Sequence, residues 1–140
     1  VSIPKPGPTP VPMSKPFWSA TAQGQLVVQR CQGCGTHQHY PRVVCRHCWL
    51  TELDWVTCSG DGRVWTYTVV HRPGHPAWEP EVPYVLALVE LDEGPRLMTN
   101  IVNIAPAEMR VGLAVRAVFD DTADTSLVHF APVDRPLPTP

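Results

Sequence analysis

Residues 31–48 read CQGCGTHQHYPRVVCRHC, and this stretch decides the fold. It holds two matched pairs, Cys31-Gln32-Gly33-Cys34 and Cys45-Arg46-His47-Cys48, separated by ten residues. A Cys-x-x-Cys turn aims two sulfurs at one point, so two such turns supply the four thiolates of a tetrahedral metal site. Gly35, directly after the first pair, suits a left-handed turn position. Four protein thiolates close the coordination shell and leave no open position for catalysis, so the expected role of the metal is structural. Zinc is the expected ion; iron accepts the same tetrahedral thiolate set, and the spacing does not decide between them. Two disulfides are disfavoured because Cys58 would be left over and no signal peptide precedes the pairs. His37, His39 and His47 lie nearby in sequence but are expected at the surface or behind the ligands.

Outward from the cysteines, the chain reads as strands. Leu26 to Arg30 leads into the first pair and His37 to Tyr40 returns from it. Trp55 to Ser59, Arg63 to His71, Tyr84 to Leu91, Arg96 to Val102, Val115 to Asp120 and Leu127 to Ala131 are short runs rich in β-branched and aromatic residues. Gly60-Asp61-Gly62 and Asp92-Glu93-Gly94-Pro95 read as turns, and Pro106 to Met109 as one helical turn. Five or six short strands with one helical turn before the penultimate strand suit a small closed β-barrel, the OB-fold. That fold places its helix between strands three and four, whereas here the turn follows the fourth predicted strand. Ahead of the cysteines, Ser14 is the expected N-cap of a helix from Lys15 to Gln23 with Pro16 in its first turn and Gly24 closing it. So short a helix must dock, and its adjacent Phe17 and Trp18 are candidates for its own core or for a partner interface.

The expected organisation is therefore mainly β: a Pro-rich linker over 1–13, the helix over 14–25, a zinc ribbon over 26–50, a barrel over 51–131 and a Pro-rich tail over 132–140. Five prolines in the first twelve residues fit an extended linker to an upstream domain. No run approaches the roughly 20 apolar residues of a membrane helix, and thiolate ligation fits a reducing compartment such as the cytoplasm. Net charge is −2, unevenly spread: residues 1–75 carry seven Lys/Arg against three Asp/Glu, residues 76–140 four against ten.

Several segments together carry a family resemblance: Lys15-Pro16-Phe17-Trp18, Gly24-Gln25-Leu26, Gln29-Arg30-Cys31, Cys34-Gly35, Tyr40-Pro41-Arg42, the Cys45/Cys48 pair, Ser59-Gly60-Asp61-Gly62, Thr68-Val69-Val70-His71, Pro83-Tyr84-Val85-Leu86-Ala87 and Leu91-Asp92-Glu93-Gly94-Pro95-Arg96. In this order, over roughly 13–131, they resemble the acyl-CoA-associated family known as domain of unknown function 35, a rubredoxin-like zinc ribbon followed by an OB-fold. The sequence departs from the family pattern at Tyr40 and Arg46, where proline is usual; neither is a ligand position. The resemblance implies a non-catalytic domain beside a thiolase-fold partner in CoA-thioester chemistry. It points to the aldolases that cleave steroid side chains, whose homologous domain follows a hydratase-like domain in one chain. CoA carries several phosphate charges, so Arg42, Arg46, Arg63, Arg72 and His71 are the candidate contacts should CoA thioester touch this chain.

Two other functions compete with this one. A zinc ribbon with an OB-fold also suits single-stranded nucleic acid, with Trp65, Tyr67 and Trp78 as stacking platforms, but the acidic balance and only two lysines oppose it. A self-contained hydrolase or aldolase would need Cys58 and His71 as nucleophile and base. Cys58 fits a small core residue better, and no further catalytic set is evident.

Overall fold

The computed structural model describes residues 3–121 and 125–135. Ile3 to Val11 form no regular element, as their prolines dictate. A 3-10 turn, Pro12–Ser14, runs into helix α1, Lys15–Thr21. The helix ends two residues before the expected Gln23; Gly24, at φ +71°, takes the left-handed position and donates to the Thr21 carbonyl. Ser14 does not cap α1 with its side chain. The preceding turn holds it in a helical conformation, so its hydroxyl closes back on Val11, accepting from the N–H and donating to the carbonyl, both at 3.1 Å. Phe17 and Thr21, four apart, form the buried face of α1.

The ribbon is a three-stranded antiparallel sheet centred on β1 (Val27–Cys31), flanked by β2 (His37–Gln38) and β3 (Leu53–Thr57). β3 differs from the expectation that the barrel starts at residue 51. It pairs with all five residues of β1, from Val27↔Thr57 to Cys31↔Leu53, filling the edge that β2 leaves open. The barrel comprises β4 (Asp61–Val70), β5 (Tyr84–Leu91), β6 (Arg96–Ile101), β7 (Ala114–Asp120) and β8 (Leu127–Pro132), closed in the order β4-β5-β6-β8-β7. With β3 assigned to the ribbon, the helical turn Pro106–Glu108 falls between the third and fourth barrel strands, where an OB-fold places its helix. The displaced strand count thus had one cause. The expected turn at Gly60-Asp61-Gly62 is confined to Gly60 (φ +87°), which bends the chain out of the ribbon, because Asp61 already pairs with Arg116.

Side chains alternate cleanly along β5, with Val85, Ala87, Val89 and Leu91 pointing inward onto Leu97, Ile101, Val115 and Phe130. Phe17, Leu26, Val27, Val28 and Cys58 join the same cluster, so helix, ribbon and barrel share one core. The seam between β6 and β8 is thin. It has one register pair, Ile101↔Phe130, reinforced by the Val102 N–H on the Phe130 carbonyl (2.8 Å) and the buried Thr99 hydroxyl on the Val128 carbonyl (2.9 Å). Of the expected tail, Pro132 ends β8 and Arg135 bonds Glu108 at 2.7 Å; residues 136–140 lie outside the described residues. Among the described residues no helix is long and apolar enough to cross a membrane.

At Gly62 on β4 there is no room for a side chain: a Cβ would sit 2.6 Å from the Glu90 carbonyl oxygen and 2.8 Å from Val89 Cγ1 on β5. Gly62→Ala should therefore lower the unfolding free energy by about 1–3 kcal/mol in chemical denaturation. An unchanged midpoint would show that the strands part freely there.

Candidate metal centre and the surface around it

The two cysteine turns are built alike. The N–H of Gly35 donates to the Cys31 carbonyl at 2.9 Å, and the N–H of Trp49 to the Cys45 carbonyl at 3.0 Å. Each donor follows the second cysteine of its pair and has a left-handed φ, +74° at Gly35 and +67° at Trp49. Glycine adopts that conformation freely; an L side chain pays about 1–2 kcal/mol.

All four sulfurs lie within 4.8 Å of one another, with Cys31–Cys48 at 3.5 Å and Cys34–Cys45 at 3.6 Å. A Zn–S bond of about 2.3 Å in a tetrahedron gives sulfur separations of about 3.8 Å, so the donor set fits the ion. The cysteines are free rather than disulfide-bonded. The local electrostatics also call for a cation. Hydrogen bonding with Thr36 holds the Cys34 thiol down at about 6, and the Cys48 and His47 backbone N–H groups lower Cys45. At Cys48 the Leu50 N–H favours the thiolate, but burial and the three neighbouring sulfurs outweigh it and push the thiol up to about 12. Four adjacent thiolates form together only around a positive ion. Bound there, zinc would be held by Cys31, Cys34, Cys45 and Cys48 and would supply cross-linking alone.

The histidines stay out of this cluster. His37 pairs in register with Arg30 on β1. His39 stacks between Phe17 (5.2 Å) and Tyr40 (4.1 Å), where burial lowers its pKa to about 4 and keeps it neutral. The sequence reading missed two residues that position the second turn, Gln29 and Gln38. They are buried, opposite one another on β1 and β2, with Gln38 Nε2 donating to Gln29 Oε1 at 2.8 Å. Gln29 also clasps the Arg42 backbone, accepting from its N–H (2.9 Å) and donating to its carbonyl (3.0 Å). Gln38 accepts from the Arg46 N–H at 3.0 Å and donates to the Val44 carbonyl at 3.3 Å. Four backbone groups around Cys45 are thus satisfied by two amides. The signal was present: polar residues at the inward positions of two strands.

The five candidate CoA contacts do not form one cluster. Arg42 and Arg46 are exposed on the second turn, Arg46 lining a small cleft with His39, Gly94 and Arg96. Arg63 donates to the Gly112 carbonyl at 3.1 Å. Seven residues of β4, roughly 24 Å of strand, separate Arg63 from the end where exposed His71 and Arg72 sit. Of the two helix aromatics, Phe17 is only 6% exposed and takes the core alternative, while Trp18 is half-buried. Phe17, Trp18, His39, Tyr40, Met98 and His129 line a cleft of about 280 Å³ where helix, ribbon and barrel meet.

Cys58 and His71 cannot form a pair, because the ten residues of β4 stand between them. Burial and the neighbouring Glu93 charge push the Cys58 thiol up to about 12, the state of an inert core thiol. The expected stacking aromatics are likewise engaged elsewhere. Arg96 covers Trp65 at 3.6 Å, the Tyr67 hydroxyl donates to the Met109 carbonyl at 3.1 Å, and Trp78 stands edge-on to His75.

Removing the Gln38 amide isolates the Arg46 N–H and the Val44 carbonyl. Gln38→Leu should cost about 1–3 kcal/mol and speed metal release to a chelator, read with a chromogenic competitor. Wild-type release kinetics in that variant would contradict the positioning role.

Comparison with known proteins agrees with this architecture. Residues 18–54 match the family model "ChsH2, rubredoxin-like zinc ribbon domain", and residues 55–120 match "ChsH2, C-terminal OB-fold domain". The chain is 49% identical over 100 residues to a probable enoyl-CoA hydratase alpha subunit of Thermomonospora curvata, covering 71% of this chain and 31% of that protein. It is 34% identical to the 3-oxo-4,17-pregnadiene-20-carboxyl-CoA hydratase alpha subunit of Mycobacterium tuberculosis, covering 83% of this chain and 36% of that protein. The chain thus spans about a third of these two relatives. With a DUF35 domain-containing scaffold protein of Methanocaldococcus jannaschii it shares 37% identity over 79% of its own length and 83% of the relative's. Among solved structures, a chain of the Ltp2-ChsH2(DUF35) aldolase superposes with a TM-score of 0.81 at 40% identity, covering 90% of this chain and 98% of that one. Sequence, fold and metal-ligand set together place the chain in the ChsH2/DUF35 family of zinc-ribbon and OB-fold domains.

Proposed function

We propose that this chain is a non-catalytic accessory domain that binds and stabilises a thiolase-fold partner in a CoA-thioester aldolase assembly acting on steroid side chains. The observation that carries the reading is the likeness to the aldolase chain, which this domain covers almost completely. The chemistry of the site agrees. A closed tetrathiolate shell offers no vacancy to a substrate, the Cys58 thiol is protonated at neutral pH, and the described residues assemble no nucleophile with a base. The partner then carries the acid and base of the retro-aldol step, which breaks a carbon–carbon bond and releases a carbonyl product and a shortened acyl-CoA. The names of the hydratase subunits support an upstream hydratase-like domain and a steroid acyl group. Arg63, His71 and Arg72 are the candidates to meet the phosphates of CoA. The reducing environment that thiolate ligation favours supports a cytoplasmic setting.

Coexpression with the thiolase-fold chain of the same genome should yield a stable complex that cleaves a β-hydroxyacyl-CoA. The isolated domain should be inert, and Cys45→Ser should abolish both metal binding and assembly. Cleavage by the isolated domain, or full assembly by the metal-free variant, would overturn the proposal.

A further inference from the structure

The equivalence of the two cysteine turns exposes one residue that local structure does not explain. The first turn fills its left-handed position with Gly35; the second fills the same position, with the same hydrogen bond, with Trp49. Trp49 is 77% exposed, and among the described residues no ring or cation stacks on its indole. Here a large apolar side chain occupies a glycine position yet contributes little to its own core. Such a conflict between local preference and residue choice marks a functional position.

Its neighbours extend the patch. Val43 is 71% exposed and Leu50 45%, both in the segment that carries the second cysteine pair, and the exposed Arg42, Arg46 and His47 lie among them in sequence. An apolar centre with a polar rim, led by tryptophan, is the anatomy of a protein interface anchor. Leu50 lies over Gly33 of the first turn, while Val43 and Trp49 stand well exposed to solvent. A small ligand needs a concave site; a projecting apolar tip needs a concave partner. The rim is cationic, with Arg42, Arg46 and His47 and no carboxylate between residues 42 and 50, so the partner it complements carries acidic groups.

We infer that Trp49, flanked by Val43 and Leu50, is the anchor by which this domain plugs into the thiolase-fold chain, in an apolar pocket rimmed by carboxylates. This inference rests on the proposed function and adds the surface that performs it. The metal then has a second consequence, because Cys45 and Cys48 fix the turn that presents the anchor.

Trp49→Gly separates fold from interface, since glycine suits φ +67°. Binding of the purified domain to the thiolase-fold chain is measured by titration, alongside metal content and unfolding midpoint. The variant should keep its metal, unfold at or above the wild-type midpoint, and bind at least about tenfold more weakly; Val43→Asp should weaken binding too. In the wild-type complex, amide exchange over residues 43–50 should slow. Equal binding by wild type and Trp49→Gly would overturn the anchor and leave the proposed function standing. Loss of metal in Trp49→Gly would overturn it as well, by making the indole structural. No binding by the wild type would overturn both readings. Retention of the wild type, but not the variant, on oligonucleotides or anionic vesicles would reassign the patch and overturn the protein anchor.

Discussion

Four thiolates gathered within 4.8 Å are the constraint on which the ribbon depends. The second cysteine turn has almost no core of its own: between residues 40 and 52 only Cys45 is fully buried, while Val43, Trp49 and Leu50 face outward. A segment that buries so little apolar surface cannot offset its conformational entropy alone. Cross-linking through a cation solves this, because metal binding free energy becomes folding free energy. Without the ion the four thiols do not ionise together, so the cross-link is lost entirely.

Around that constraint the chain adds polar fixtures rather than a second core. Gln29 and Gln38 pin the backbone on either side of Cys45, and β3 returns to seal the free edge of β1. Below, Phe17, Leu26, Val27 and Val28 tie helix and ribbon into the barrel's hydrophobic cluster. The barrel is therefore a platform, and the ribbon a rigid projection held at a fixed place on it. This arrangement suits a protein whose task is to hold another protein, and the closed metal shell suits it equally.

Much of this was legible in the residues, and the failures have physical causes. Paired cysteines at fixed spacing specify their own geometry, so the metal site could be read directly. The alternating strand Tyr84–Leu91 was recovered at its full length because its period is unambiguous. The third strand was read correctly as a strand but given to the wrong sheet, since pairing is a long-range property that Leu53–Thr57 does not encode locally. Ser14 looked like a cap because its composition is right; the 3-10 turn before it redirected the hydroxyl. The candidate CoA contacts are spread over the second cysteine turn and the two ends of β4, an arrangement that charge totals do not encode. Trp49 was overlooked because its significance appears only when its φ is set beside that of Gly35.

The central claim is that the metal holds the cysteine turns while the barrel stands on its own packing. Amide hydrogen exchange on the metal-loaded and metal-stripped domain measures this directly. The account predicts that stripping the metal removes protection from residues 31–50 and leaves the barrel strands between Asp61 and Pro132 protected. Unchanged protection of residues 31–50 without metal would contradict it.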